Sequence, residues 1–381
     1  MSDAYIVGAV RSPVGRRNGG LSSVHPADLA AHVLRELLDR TGVDPEAVED
    51  VVMGCVMQAG PQALDIARTA WLSAGLPESV PGVTIDRQCG SSQQAVHFAA
   101  QGVMSGTQDL VIAAGVESMS MVPMGSTVAP LLEKGLAFPF GDGWNERYGK
   151  QEISQFRGAQ LMCEKWGIKR LQLEEYALES HRRAIQAIDE GRFESQITPV
   201  KGVSVDEGPR RDTTLEKMAD LKPLREGWEL TAATASQISD GSAALLIASE
   251  DAVRRHGLTP RARIHTLTLT GADPVFMLTG PIPATTKALE RARLSVDDID
   301  VFEVNEAFAP VLIAWSAETG ASLDKTNPNG GAIALGHPLG GTGAILMTKL
   351  LHELERTGGR YGLQTMCEGG GQANATIIER V

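Results

Sequence analysis

The sequence predicts an α/β protein made of two related halves, and three observations support this prediction. Apolar strand patterns alternate with amphipathic helix patterns, and the order of these elements recurs from residue 261. Of the 381 residues, 43% are apolar but only 4% are aromatic, which is typical of a large core of small aliphatic side chains. Strands that are apolar on both faces predict two doubly wound sheets with helices packed between and around them.

The first half begins with a predicted strand at 4–10 and an amphipathic helix after Pro26. A strand at 50–56, a helix after Cys89 and the buried strand "DLVIAAG" follow. The apolar face of the first helix contains Ala30, Val33, Leu34, Leu37 and Leu38.

The second half repeats this order with the strand "RARIHTLTLTG", a helix around 283–293 and the strand "DIDVFEVNEAF". A glycine-rich turn then leads into the helix "GAILMTKLLHELE" and the strand "LQTMCEGGG". Val51 and Leu110 are 59 positions apart, and Val301 and Leu363 are 62 apart. These similar spacings indicate an internal duplication.

The halves differ where a long segment interrupts the first one. The prediction places the N-terminal half at 1–117 and 236–258, an inserted loop domain at 118–235, and the C-terminal half at 259–381. The insertion is rich in Gly and Pro, with a helix at 172–190 that Gly191 ends. We expect little other regular structure in it, and a role in covering the substrate.

The charge and the cysteines restrict the function class. A net charge of −12 without a basic stripe argues against a nucleic-acid or anionic membrane partner, so a polyanionic ligand needs local cations. The start "MSDAYIVGAVRSP" enters a strand pattern directly, and no apolar run approaches 18 residues, so we expect a cytoplasmic protein. The four cysteines are far apart, without the spacing of a metal site or a disulfide framework.

Cys89 starts a helix pattern in "DRQCGSSQQA", and His337 precedes the corresponding helix of the second half. A pseudo-twofold relation between the halves would bring the two residues together. A helix N-terminus contributes at most about 2 kcal/mol, roughly 1.5 pKa units, which leaves most of a thiol protonated at pH 7. We therefore expect His337 to take the proton, as in thiolate–imidazolium pairs. The alternative is a buried thiol, our interpretation of Cys55 and Cys163.

The loop "GGAIALGHPLGGTGAI" has a second interpretation as a phosphate-binding loop. Gly331 and Gly336 have the required separation, but His337 stands where lysine belongs and no hydroxyl residue follows it directly. This pattern disfavours nucleotide binding. We interpret His97 and His352 as residues of a helix surface or core edge.

Further candidates lie at strand ends, where doubly wound sheets bind ligands. Cys367 stands before three glycines in "CEGGG", which is either a tight turn or a site where a thiol transfers a proton. Asn305 and Glu306 share this edge, where Asn305 could hold an oxyanion or a water, or could belong to a simple turn.

These motifs together resemble a known family. "CGSS" at 89, "NEAFA" at 305, "GHPLGGTG" at 336 and "CEGGGQ" at 367 resemble the four signature blocks of the thiolases. The resemblance covers essentially the whole chain. It implies a duplicated five-layered αβαβα fold with an inserted loop domain, and reversible ping-pong thiolytic cleavage of a 3-ketoacyl-CoA by CoA, or condensation of two acetyl-CoA.

The resemblance implies a role for each matched residue. Cys89 would carry the acyl group, His337 would activate it, and Cys367 would be the acid/base. His337 and a water held by Asn305 would form one oxyanion hole, and the backbone N–H groups of Cys89 and Gly369 the other.

The resemblance also implies how substrates are bound. Ala232, Ser236 and Phe308 would contact CoA, and Arg210 would lie near its nucleotide. CoA would be a substrate, with no cofactor and no metal required. The family's oligomeric states imply a homodimer or homotetramer.

Four residues depart from the family pattern: Asp86, Ser92, Gln93 and Glu368. We expect them to affect substrate preference more than activity. If the Glu368 carboxylate faces Cys367, it would raise the pKa of that thiol. Two alternatives remain: a decarboxylating ketosynthase-type enzyme, which would have a second histidine at position 367, and a non-catalytic CoA- or lipid-binding relative, which would have lost part of the catalytic set.

Overall fold

A computed structural model describes residues 3–381 and contains ten strands within that range. The strands are β1 Ala4–Arg11, β2 Gly15–Arg16, β3 Asp50–Gly54, β4 Gly82–Ile85, β5 Leu110–Ser118, β6 Ser239–Ser249, β7 Ala262–Gly271, β8 Val301–Val304, β9 Tyr361–Glu368 and β10 Gln372–Arg380.

The same residues form thirteen α-helices, with short 3-10 turns at Pro45–Ala47, Gly60–Gln62, Ala232–Thr234 and Val296–Asp298. The helices are α1 Pro26–Thr41, α2 Ile66–Ser73, α3 Ser91–Ser105, α4 Ala129–Leu132, α5 Asp142–Tyr148, α6 Gln155–Trp166, α7 Arg170–Asp189, α8 Leu215–Ala219, α9 Glu250–His256, α10 Pro281–Ala292, α11 Ala309–Thr319, α12 Ala332–Leu335 and α13 Leu339–Thr357.

Helix α1 shows how the local sequence specifies an element. Pro26 occupies its first turn, and the His25 side chain accepts a hydrogen bond from the Ala27 N–H. The predicted apolar face is buried against the first-half strands. Burial of this face, rather than helix propensity alone, fixes the helix on the sheet.

The sheet topology contains the duplication. The strand order is β4-β3-β5-β6-β1-β7-β10-β9-β8, with β2 paired to β6. In the first half, β3 is parallel to β5, and β6 is antiparallel to both β5 and β1. In the second half, β8 is parallel to β9, and β10 is antiparallel to both β9 and β7. The two halves therefore repeat the same four-strand pattern.

Three details of the predicted sheets were wrong. The two sheets are joined, because β1 and β7 pair through Tyr5↔Arg263 and Ile6↔Ala262. They are mixed rather than doubly wound, because β6 and β10 run antiparallel to their neighbours. Strand β8 covers only Val301–Val304, since a 3-10 turn precedes it and helix α11 follows soon after it.

The layers are separated by three apolar clusters. One lies between α1, α2 and the first-half strands, and another lies beneath α10 and α11. The third surrounds α3 and α13, which pack against each other between the two sets of strands. The order helix, sheet, helix, sheet, helix agrees with the predicted five-layered fold.

The segment between β5 and β6 is more regular than we expected, because it contains helices α4–α8. Helices α6 and α7 contribute to the apolar cluster of the second half, so the segment packs across both halves. None of the helices within residues 3–381 has the length and apolar character that a membrane span requires.

The contact between α3 and α13 predicts a specific loss of stability. A Cβ at Gly343 would overlap the backbone N and side chain of Gln93, so the two helices would have to separate. Gly343→Ala should lower the free energy of unfolding by about 1–3 kcal/mol, measured by denaturant titration. Gly143→Ala, at an open position of helix α5, is the control and should leave stability unchanged or slightly higher. Equal stabilities of the two variants would contradict this account of the packing.

Candidate active site

Cys89 lies two residues before helix α3, in a turn that side chains close. The Gln88 N–H donates to Asp86 Oδ1 at 2.6 Å, and the Arg87 N–H donates to Ser91 Oγ at 2.9 Å. Asp86, which departs from the family pattern, therefore accepts a hydrogen bond that holds this turn. The Cys89 side chain is half-buried and faces a cavity.

His337 occupies the equivalent place, two residues before helix α13. Its Nδ1 lies 2.6 Å from Thr342 Oγ1, and the Thr342 O–H lies 2.8 Å from the Pro338 carbonyl oxygen. Because the hydroxyl has one proton and donates it to Pro338, it accepts from the Nδ1–H of His337. The Nε2 of His337 is then unprotonated, and Asn305 Nδ2 lies 3.4 Å from it.

Glu306 holds the loop that carries Asn305. Its buried carboxylate accepts four hydrogen bonds, so it is fully paired. Asn305 is also buried, but its Oδ1 has no partner in the part of the chain that the structure describes. This oxygen is therefore available to a water molecule. The four donors to Glu306 are Tyr176 Oη at 2.8 Å, Ser180 Oγ at 2.7 Å, Asn327 Nδ2 at 3.0 Å and the Ile333 N–H at 3.1 Å.

Cys367 is buried near the end of β9, and Gly369 follows that strand at the cavity wall. Negative charge on Cys89 raises the pKa of Cys367, after the larger effect of burial, so the two thiols are electrostatically coupled. The structure therefore associates the three predicted groups, Cys89, His337 and Cys367, at one place.

Burial determines the resting protonation states of Cys89 and His337. It raises the pKa of Cys89 to about 12, with a further rise from Glu368, and the N–H groups of Cys89 and Gly369 oppose this. Burial lowers the pKa of His337 to about 4. Both groups are therefore neutral at rest, because desolvation exceeds the stabilisation of the thiolate by the N–H groups. The transfer of the Cys89 proton to His337 stays a prediction.

The cavity beside Cys89 has a volume of about 310 Å³ and mostly apolar walls. It is lined by six of the residues predicted to form the site: Cys89, Ala232, Ser236, Phe308, His337 and Gly369. Cys367 and Asn305 are buried and do not line it. Four methionines also line it: Met57, Met119, Met124 and Met277.

Arg210 lies outside this cavity and lines a neighbouring one of about 850 Å³. The two cavities share Ala232, Ser236, Gln237 and Ile238, so they are adjacent. Arg16 and Arg17 line the same outer cavity, and none of these three arginines forms an ion pair with another described residue. In residues 3–381, no cluster of His, Cys, Asp and Glu could hold a metal ion.

Several residues of this site were not predicted from the sequence. Thr342 lies in the first turn of α13, and a hydroxyl five residues after the histidine was the available signal. Met57 and Met119 each follow a first-half strand, the position that also marked Cys367. His97 was misinterpreted as an edge residue: it is fully buried, with Nε2 2.7 Å from Thr376 Oγ1.

Comparisons with known proteins agree with the motifs. The family description "Thiolase, N-terminal domain" matches residues 4–251, and "Thiolase, C-terminal domain" matches residues 258–380. The steroid 3-ketoacyl-CoA thiolase FadA6 of Mycobacterium tuberculosis is 59% identical over 387 residues, covering 100% of this chain and 95% of that protein.

Two solved structures are similar over the whole chain. An acetyl-CoA acetyltransferase of Bacillus anthracis has a TM-score of 0.91 and 39% identity, with coverage of 100% of this chain and 99% of that one. Human mitochondrial 3-ketoacyl-CoA thiolase in complex with CoA has a TM-score of 0.90 and 37% identity, with coverage of 100% and 98%. These TM-scores confirm the predicted fold class.

The geometry of His337 makes a prediction that ¹⁵N NMR can check. Its pKa of about 4 keeps the imidazole neutral from pH 5 to 8, and the Thr342 contact keeps the proton on Nδ1. The ¹⁵N signals of the His337 imidazole can be assigned because they are absent from the spectrum of His337→Gln. They should correspond to one neutral tautomer and should not shift with pH above pH 5. Titration near pH 6.5, or protonation at Nε2, would contradict this arrangement.

Proposed function

Because the chain belongs to the thiolase family, we propose that its substrate is a 3-ketoacyl-CoA with a bulky, ring-bearing acyl group. The reaction class follows from the family: the chain is an acyltransferase that cleaves 3-ketoacyl-CoA with CoA, or catalyses the reverse condensation. A relative at 59% identity is named for a steroid substrate, which suggests the ring-bearing group.

The apolar cavity beside Cys89 is the observation that carries this proposal. The pantetheine would occupy the side of this cavity that Ala232, Ser236 and Phe308 line, and a short acetoacetyl group would leave the remaining apolar wall uncovered. Met57, Met119, Met124 and Met277 supply flexible, polarizable side chains that adjust to an irregular apolar body. Fused aliphatic rings provide such a body.

In the proposed acylation step, His337 Nε2 takes the Cys89 proton as Sγ attacks the 3-keto carbonyl carbon. The new imidazolium Nε2–H and a water on Asn305 would stabilise one oxyanion, while the N–H groups of Cys89 and Gly369 would stabilise the other. Both N–H groups already favour negative charge on Cys89 Sγ. The C2–C3 bond then breaks, and Cys367 protonates the departing acetyl-CoA carbanion.

Deacylation completes the proposed cycle. The Cys367 thiolate takes the proton of the incoming CoA thiol, and the CoA sulfur attacks the acyl group on Cys89. The C–S bond to Cys89 breaks, and His337 returns the proton to that sulfur. Because His337 and Cys89 are neutral at rest, each turnover ends with the charges as they began.

The pantetheine of CoA would run past Ala232, Ser236 and Phe308 toward Arg210. The phosphate charges would be offset by three arginines of the outer cavity, Arg16, Arg17 and Arg210. These arginines would be the local cations that an acidic chain requires to bind a polyanion. Arg211, by contrast, is paired with Asp189.

The assembly, the location and the domain boundaries stay predictions. For a homodimer or homotetramer, the supporting feature is the unpaired edge of β4, where Val83 is 43% exposed. A cytoplasmic location and the inserted domain at 118–235 are proposed on the sequence pattern alone.

Steady-state thiolysis tests the proposed substrate. We expect kcat/KM for a 3-ketoacyl-CoA with a fused-ring acyl group to exceed that for acetoacetyl-CoA by at least about tenfold, because the rings fill the cavity. Met57→Phe should reduce that preference by about tenfold while acetoacetyl-CoA cleavage, the internal control, changes little. A preference for acetoacetyl-CoA would reject the ring-bearing substrate but leave the thiolase reaction intact.

A matched pair of threonine variants tests the role of His337. Thr342→Val removes the acceptor of the Nδ1–H, so kcat should fall by about 10- to 100-fold. Thr348→Val in the same helix removes a hydroxyl that donates only to the Ala344 carbonyl, and should retain activity. If both variants lose activity equally, helix α13 tolerates neither change and the tautomer argument fails.

A further inference from the structure

Glu368 is a buried carboxyl group that the proposed mechanism does not use. It is the last residue of β9 and has no exposed surface. No described residue makes a hydrogen bond of normal geometry to either carboxylate oxygen, and the Asn374 backbone N–H has a smaller effect on the group than burial or Arg87. An ionised carboxylate without such partners is expensive to bury, whereas the neutral acid is not.

The Glu368 carboxyl group contacts Gly90, the residue directly before helix α3. A Cβ at Gly90 would overlap Glu368 Oε1, so the carboxyl group occupies space that only glycine leaves open. Asn374 Nδ2 donates to the Gly90 carbonyl oxygen at 3.1 Å and holds the same peptide from the other strand. Side chains alternate along β9, so Glu368 and Cys367 point to opposite faces. The condition that Glu368 faces Cys367 is therefore not met, although a negative charge on Glu368 still raises the pKa of that thiol.

The charged and titratable groups around Glu368 are few. Arg87, in the turn before α3, is the nearest cation, but its Nη1 donates to Gln372 Oε1 at 3.1 Å and it forms no ion pair with Glu368. The side chains of strand β10 near Glu368 are Gln372 and Asn374, which are neutral amides. Burial raises the pKa of Glu368 to about 8, against the Arg87 charge and the Asn374 backbone N–H.

A negative charge on Glu368 acts on the nucleophile. It raises the pKa of Cys89 more than any other charged group does, and it also raises that of Cys367. The same charge would oppose an oxyanion held by the Cys89 and Gly369 N–H groups, because Gly369 directly follows Glu368. The neutral acid has neither effect.

We propose that Glu368 is a positioning residue that supports the Cys89–Gly90 segment as a neutral carboxylic acid, and that loss of its proton disables the nucleophile. The inference rests on the proposed role of Cys89. It adds a pH-dependent control: the site is competent while Glu368 is protonated and loses competence as pH rises through about 8.

Infrared difference spectroscopy of Glu368→Gln tests the protonation state without any substrate. The spectrum of the wild type minus that of the variant should contain the band of a protonated carboxyl group at pH 6.5. This band should disappear as the pH rises through about 8. Glu353→Gln is the control, since Arg356 and Asn329 lower the pKa of Glu353 against burial and its removal should produce no such band. Absence of the band at pH 6.5 overturns the proposal.

Alkylation of Cys89 by iodoacetamide between pH 6 and 10 tests the effect on the nucleophile. Above pH 8 the wild-type rate should fall progressively below that of Glu368→Gln, reaching about tenfold if the charge shifts the Cys89 pKa by one unit. If Glu368→Gln folds poorly, Glu368→Met, which is also neutral and of similar length, takes its place. It should give the curve that is expected for Glu368→Gln. Identical curves for wild type and the neutral variants overturn the proposal, whether or not Cys89 is the acyl carrier.

Discussion

The site depends on the close packing of α3 against α13 in the layer between the two sets of strands. The backbone of Gly343 lies so close to Gln93 that a Cβ at this position would overlap Gln93. Next to this contact, the Ala344 N–H donates to Ser92 Oγ at 2.9 Å. Two of the residues that depart from the family pattern therefore lie in this contact. Because Cys89 and His337 each precede one of these helices by two residues, the packing of the helices sets the distance between the proposed nucleophile and the proposed base.

Burial has opposite effects on the pKa values of Cys89 and His337. It holds Cys89 as a thiol and His337 as a free base, so the resting site contains no ion pair. A neutral resting site avoids the cost of two buried charges, which appear together only when a substrate carbonyl accepts the new bond. The fully paired Glu306 and the Thr342 contact hold the geometry during this change.

The sequence predicted the duplication, the layers and the catalytic candidates because each has a local signature. Cys89, His337, Asn305 and Cys367 stand at helix starts or strand ends, where periodicity changes. The joined sheet was not predictable, since the β1–β7 pairing involves only two residue pairs. The protonation states and the place of Glu368 depend on burial by segments hundreds of residues away, and no local pattern encodes that.

The central claim is that Cys89 carries the acyl group while His337 and Cys367 move the protons. Acid-quenched peptide mass spectrometry after incubation with acetyl-CoA tests this claim most directly. The account predicts one acetyl adduct, on the peptide that contains Cys89, which is lost when CoA is added. An adduct on Cys367, or none on a folded preparation, would contradict it.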